Sequence, residues 1–158
     1  MSDLEIGKIL IAGGLSAADV DNGAFQPARY SPLGDPWGAR PLWAAVADGL
    51  DGRSVNRVVV GEDQEDTLAG YSVGQELGVP VTQVVQSQGQ LYILGAIEEG
   101  DRILIAGEAF RHEENLHALI AVVENSKATV AAVSALVDSR ALRAVYPDAI
   151  TLWTPDPR

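Results

Sequence analysis

The sequence predicts an α/β fold, a central and mostly parallel sheet with helices on both faces. Two observations carry that reading. From about residue 55 onward, short apolar runs rich in β-branched residues alternate with helix-like stretches, the order expected when each strand returns through a crossover helix. One run, Ala128 to Val137 (ATVAAVSALV), is too apolar for a strand with one wet face and belongs in the middle of a sheet covered on both sides.

The elements follow in order. Leu4 to Leu15 is compatible with helix or strand, Ala24 to Pro32 (AFQPARYSP) reads as extended, and Pro41 to Leu50 reads as helical. Arg57 to Gly61 (RVVVG) is a short strand, and Thr67 to Leu77 is a helix stopped by Gly78. Pro80 opens the strand Val81 to Val85. The polar turn QSQG then leads into Gln90 to Leu94, the second arm of a hairpin. Gly100-Asp101 turns the chain into the strand Arg102 to Ala106. Asn115 to Glu124 is a helix with Leu116, Leu119, Ile120 and Val123 on one face. After Ala128 to Val137 come a short helix, Ala141 to Tyr146, and a last strand, Ala149 to Trp153. In such sheets ligands bind beyond the carboxyl ends of the strands. The loops Gly61 to Thr67 and Gly107 to Asn115 are therefore the candidate site.

Composition narrows the function. At 158 residues and 47% hydrophobic, the chain is expected to form one domain, 1–158, with a real core. A net charge of −11 argues against nucleic acid, which needs clustered Lys and Arg. The only lysines are Lys8 and Lys127. The absence of cysteine removes disulfides, thiolate nucleophiles and cysteine metal sites. No apolar run approaches the roughly 18 to 20 residues of a membrane span. The start MSDLEIGKIL carries acids where a secretory signal has its positive region, so a cytoplasmic location is expected, with neither membrane nor nucleic-acid partner.

Three stretches resemble the type I phosphoribosyltransferases, the orotate branch in particular. NGAFQPARYSP is similar to that branch's extended segment in the small hood over the active site. RVVVGEDQEDTLAGYSVGQELGVPV looks like the family's strand, pyrophosphate loop, helix and strand. EEGDRILIAGEAFRHEENLHALIAVVENSKATVAAVSALVD looks like its signature strand, ribose-phosphate loop, helix and strand. The resemblance implies a phosphoribosyltransferase-like domain with hood elements at about 1–36 and 147–158, and a homodimer.

The departures fall on the phosphate devices. The family's paired acids become Gly107 and Glu108, and its small-residue phosphate cradle becomes Arg111-His112-Glu113-Glu114-Asn115. The pyrophosphate loop carries Glu62, Asp63, Gln64, Glu65 and Asp66, and two like charges about 4 Å apart in a partly shielded site repel by roughly 4 kcal/mol. The mobile loop with its lysine is shortened to QSQG. Phosphoribosyl pyrophosphate is therefore not expected as a substrate. A repurposed acid–base site is expected instead, acting as an isomerase, cyclase, lyase or hydrolase on a small neutral or cationic substrate. Glu108, His112, Glu113, Glu62 and Asp63 are the candidate catalytic residues, since crowded carboxylates raise one another's pKa and an imidazole titrates near neutrality. Glu65, Asp66, Thr67, Phe110, Arg111 and Asn115 are the candidate substrate contacts.

Other readings stay open at this point. Glu108, His112 and one acid of the other loop would suit Mg²⁺ or Mn²⁺ better than zinc, although no metal motif has this spacing. The chain would otherwise be a non-catalytic binder of a nucleoside or nucleobase, an interaction protein, or an atypical active orotate-type transferase. The acids would then be solvated loop charges that favour helix N-termini, Asp66-Thr67 acting as an N-cap. Trp37, Trp43 and Tyr30 are interface or core aromatics, with Trp43 assigned to the core by its spacing from Val46 and Leu50.

Overall fold

The computed structural model describes residues 36–154. The expectations for Leu4 to Leu15, Ala24 to Pro32, Tyr30 and the N-terminal hood lie outside the described residues.

Among the described residues ten elements follow one another: α1 (Pro36–Asp48), β1 (Arg57–Val60), α2 (Gln64–Leu77), β2 (Val81–Ser87), β3 (Gln90–Leu94), β4 (Arg102–Gly107), α3 (Glu113–Asn125), β5 (Thr129–Val137), α4 (Arg140–Val145) and β6 (Ile150–Trp153). The six strands form one sheet in the order β3-β2-β1-β4-β5-β6. Every neighbouring pair is parallel except β2–β3, the hairpin. β5 is an interior strand, as its unbroken apolar run demands. β6, within the stretch 147–158 assigned to the hood, bonds to β5 as an edge strand.

Strand periodicity divides the core in two. Val58, Val60, Leu104 and Ala106 point to one face and pack with Ala39, Leu42, Trp43 and Val46 of α1 and Ala69 and Val73 of α2. Val59, Ile103 and Ile105 point to the other, where Leu116, Leu119 and Val123 of α3 and Leu142 of α4 cover them. Trp43 is a core residue, and Trp37 stands 79% exposed. α2 packs closely on β1, so that a methyl at Gly70 would overlap the Val60 side chain.

Helix starts depart from expectation. α1 begins at Pro36 and runs through Pro41, which lies on its exposed side while Ala39, Leu42 and Trp43 pack inward. α2 starts at Gln64, so Asp63 and not Asp66-Thr67 is the N-cap. Thr67 Oγ1 donates back to the Asp63 carbonyl at 2.8 Å and accepts from Gln83 Nε2 at 2.8 Å. α3 starts at Glu113 with His112 as N-cap. In both helices two acids occupy the first turn, where the helix dipole favours them. At the opposite end of the sheet Asp101 accepts from Arg57 Nε at 2.7 Å, Asn56 Nδ2 at 3.1 Å and the Glu98 amide at 2.9 Å, tying β1 to the turn before β4. No helix among the described residues is long and apolar enough to cross a membrane.

Candidate functional site

A cavity of about 360 Å³ opens beyond the carboxyl ends of β1 and β4, between the two loops singled out by sequence. Glu62, Asp63, Glu65 and Asp66 line one side, and Phe110, Arg111, His112 and Asn115 another. The remaining wall is apolar and was not anticipated. Val84 and Leu91 come from the hairpin, Ala118 and Leu119 from α3, with Gln86 beside them. Leu119 was placed on a buried helix face by its spacing, but nothing in the local sequence tells that Leu91 turns toward the site.

Asp66 is the pivot of this arrangement. The first turn of α2 carries it over the ends of two adjacent strands, and its Oδ1 accepts from the Glu108 amide at 2.8 Å. A Cβ on Gly107 would lie 2.9 Å from that oxygen and 3.0 Å from Phe110 Cζ, so glycine is what lets the carboxylate and the ring close over the end of β4. Burial raises the Asp66 carboxyl from its ordinary 3.8 to about 7. The Glu108 amide pulls against that rise, Asp63 and Glu108 add to it, and Arg111 opposes it. Crowding of carboxylates is thus a secondary cause, and removal from water is the main one.

Glu108 is not part of the cavity lining. It is 3% exposed, behind the loop. Its pKa is raised, first by burial, with Arg111 opposing and Glu65 adding. Its Oε2 lies 3.7 Å from Arg111 Nη2, an ion-pair distance too long for a full hydrogen bond. Glu113 and Glu114 are exposed in the first turn of α3 and, like Thr67, do not line the cavity. His112 lines it while remaining exposed to solvent. Among the described residues no three His, Asp or Glu side chains converge in a way that would hold a metal ion.

The loop after β4 is held from behind. The Val137 amide donates to the Glu108 carbonyl at 3.1 Å. The Ser139 hydroxyl donates to the Phe110 carbonyl, and its Oγ accepts from the Leu142 amide at 3.1 Å, capping α4. On the other side Glu62 Oε2 accepts from the Gln86 amide at 3.0 Å, joining the first loop to the hairpin.

The fold finds counterparts in solved structures. The chain superposes on an adenine phosphoribosyltransferase from Rhodothermus marinus with a TM-score of 0.77 at 19% identity, over 96% of this chain and 99% of that one. This is the type I phosphoribosyltransferase fold. An orotate phosphoribosyltransferase from Mycobacterium tuberculosis, determined with phosphoribosyl pyrophosphate, gives a TM-score of 0.68 at 13% identity over 96% of this chain and 95% of that one. The UMP synthase of Leishmania donovani gives 0.69 at 15% identity, over 98% of this chain and 36% of that one. No protein-family model matches the sequence, and no curated protein matches it. The phosphoribosyltransferase fold is therefore carried here by a hydrophobic skeleton with little sequence in common.

Proposed function

We propose that this phosphoribosyltransferase-fold protein no longer binds phosphoribosyl pyrophosphate and instead uses its cavity for acid–base chemistry on a small neutral or cationic substrate. The observation that carries the reading is Asp66. Its carboxylate sits on the Glu108 amide at the head of the strand crevice, in the place an incoming anion would need. A pKa of about 7 leaves it divided between acid and base at neutral pH, the condition for efficient proton transfer. Four carboxylates and one guanidinium line the cavity, which disfavours an anionic ligand, and the wall of Val84, Leu91 and Leu119 suits a ring or aliphatic group. Asp66 is the proposed proton-transfer residue. Glu62, Asp63 and Glu65 favour a positive or uncharged ligand, and Arg111, His112 and Asn115 supply donors opposite them. Glu108, buried behind the loop, acts by orienting Arg111.

Calorimetric titration of the full chain with phosphoribosyl pyrophosphate and Mg²⁺, beside orotate and a plain nucleoside, tests this. The expected result is no heat from phosphoribosyl pyrophosphate at pH 8, where Asp66 is ionised. Micromolar binding would overturn the proposal and return the chain to transferase chemistry. Nucleoside binding without turnover would favour a ligand-binding role over a catalytic one.

A further inference from the structure

β2 carries a polar side chain on a face that a helix covers. Gln83 stands at the last rung of the β1–β2 ladder, opposite Val60. It shares a face with Val81, which packs against Gly74 of α2, while Val84 turns to the other face and lines the cavity. A half-buried carboxamide in such a place must have its hydrogen bonds met. Gln83 Nε2 donates to Thr67 Oγ1 at 2.8 Å and to the Gly61 carbonyl at 3.4 Å. Those two residues bracket the segment that carries Glu62, Asp63, Glu65 and Asp66.

Donor and acceptor roles around that amide are fixed. The Thr67 hydroxyl has one proton and gives it to the Asp63 carbonyl at 2.8 Å, which also accepts from the Thr67 amide at 2.9 Å. Thr67 Oγ1 is left to accept, and the Gly61 carbonyl can only accept, so the pair requires an NH₂ group and glutamine supplies it. The ties close around Asp66. Thr67 follows it in the chain, and a Cβ on Gly61 would lie 3.5 Å from Asp66 Oδ2. Asp66 Oδ1 in turn accepts from the Glu108 amide at 2.8 Å. The contacts thus run from β2 through the first turn of α2 to the end of β4, spanning β1, which lies between the two strands. Neither Gln83 nor Thr67 lines the cavity, so both act through Asp66 and not on a ligand.

We propose that Gln83 and Thr67 are positioning residues of the site, a clamp that seats Asp66 on the Glu108 amide. The proposal rests on the reading of Asp66 as the proton-transfer residue. NMR titration of the full chain tests it, following the Asp66 carboxyl carbon and the Glu108 amide proton. In the wild type the amide shift is expected to follow the carboxyl, with a common midpoint at about 7. Asp63, Glu108 and Arg111 act on that midpoint by charge, and the substitutions leave all three in place. Gln83→Leu and Thr67→Val add no charge, and valine keeps the shape of threonine. Each is expected to release Asp66 toward water, relieving the burial that raises its pKa. The midpoint then falls by about one pH unit or more, and the Glu108 amide no longer follows it. Thr67→Ser keeps the hydroxyl and is expected to retain the midpoint and the coupling. A tie that served stability alone would lower Tm in Gln83→Leu and Thr67→Val while leaving midpoint and coupling unchanged, and that result would overturn the proposal. So would loss of the coupling in Thr67→Ser. A wild-type midpoint near the ordinary 3.8 would count against Asp66 as the proton-transfer residue instead. The clamp would still be decided by whether the Glu108 amide follows Asp66 in the wild type and not in the two variants.

Discussion

Replacing Asp66 with asparagine keeps an acceptor for the Glu108 amide and removes the charge. The carboxyl titrates at about 7 in the fold against an ordinary 3.8, so between those values the native state holds a proton that the unfolded chain has released. Stability then falls as pH rises, by about 1.4 kcal/mol per pH unit across that window, and is fully diminished above the folded pKa. The whole span amounts to roughly 4 kcal/mol, an upper figure because water reaching the cavity screens the charge. Asp66→Asn is therefore expected to gain stability relative to wild type at pH 8 and to match it near pH 4. Urea denaturation of both proteins at pH 4.5, 6 and 8 measures this directly. Glu108, also raised by burial, contributes a slope of the same sign to both proteins. Parallel stability–pH curves for the two proteins would refute the placement of Asp66 as a buried, partly protonated acid, and the proposed chemistry with it.

Two further substitutions probe the ends of the sheet. Gly107→Ala forces a methyl against Asp66 Oδ1 and Phe110 Cζ and is expected to cost about 2 kcal/mol, a fall of roughly 4 to 8 °C in Tm by calorimetry. An unchanged Tm would mean that these two side chains do not close over β4. For Asp101, burial opposes ionisation, but the Glu98 amide, Arg57 and Asn56 together hold its pKa below the ordinary value. Its contribution is present above pH 3.8 and is lost as pH falls through the lower folded value. Asp101→Asn should lose about 2 kcal/mol at pH 7, measured by urea denaturation, and the gap to wild type should close in acid.

The strands were legible because each buried run in β1, β4 and β5 records its surroundings on both faces. Helix starts were less so. Glu65-Asp66 and Glu113-Glu114 read equally well as loop acids or as first-turn acids, and only the backbone distinguishes them. Pro41 looked like a first-turn residue, yet the packing of Ala39 behind it carries α1 back to Pro36. Within the site, the acidic side was plain from charge alone. Its apolar wall was not, since Val84 and Leu91 reach the cavity only through the pairing of β2 with β3 and the closure of the sheet against α3. Glu108 was favoured by its position in the family pattern, while the whole fold sets Asp66 in the cavity wall and leaves Glu108 buried outside it.

The loop after β4 is fastened by its carbonyls, those of Glu108 and Phe110, to donors supplied by Val137 and Ser139. A carbonyl is common to every amino acid, so these two fastenings do not depend on the side chains of Glu108 and Phe110. Arg111 and His112, which face the cavity, make neither of these two contacts. A scaffold fastened in this way tolerates exchanges at Arg111 and His112 that leave those carbonyl contacts where they are, and the phosphoribosyltransferase fold stands here under a largely different sequence.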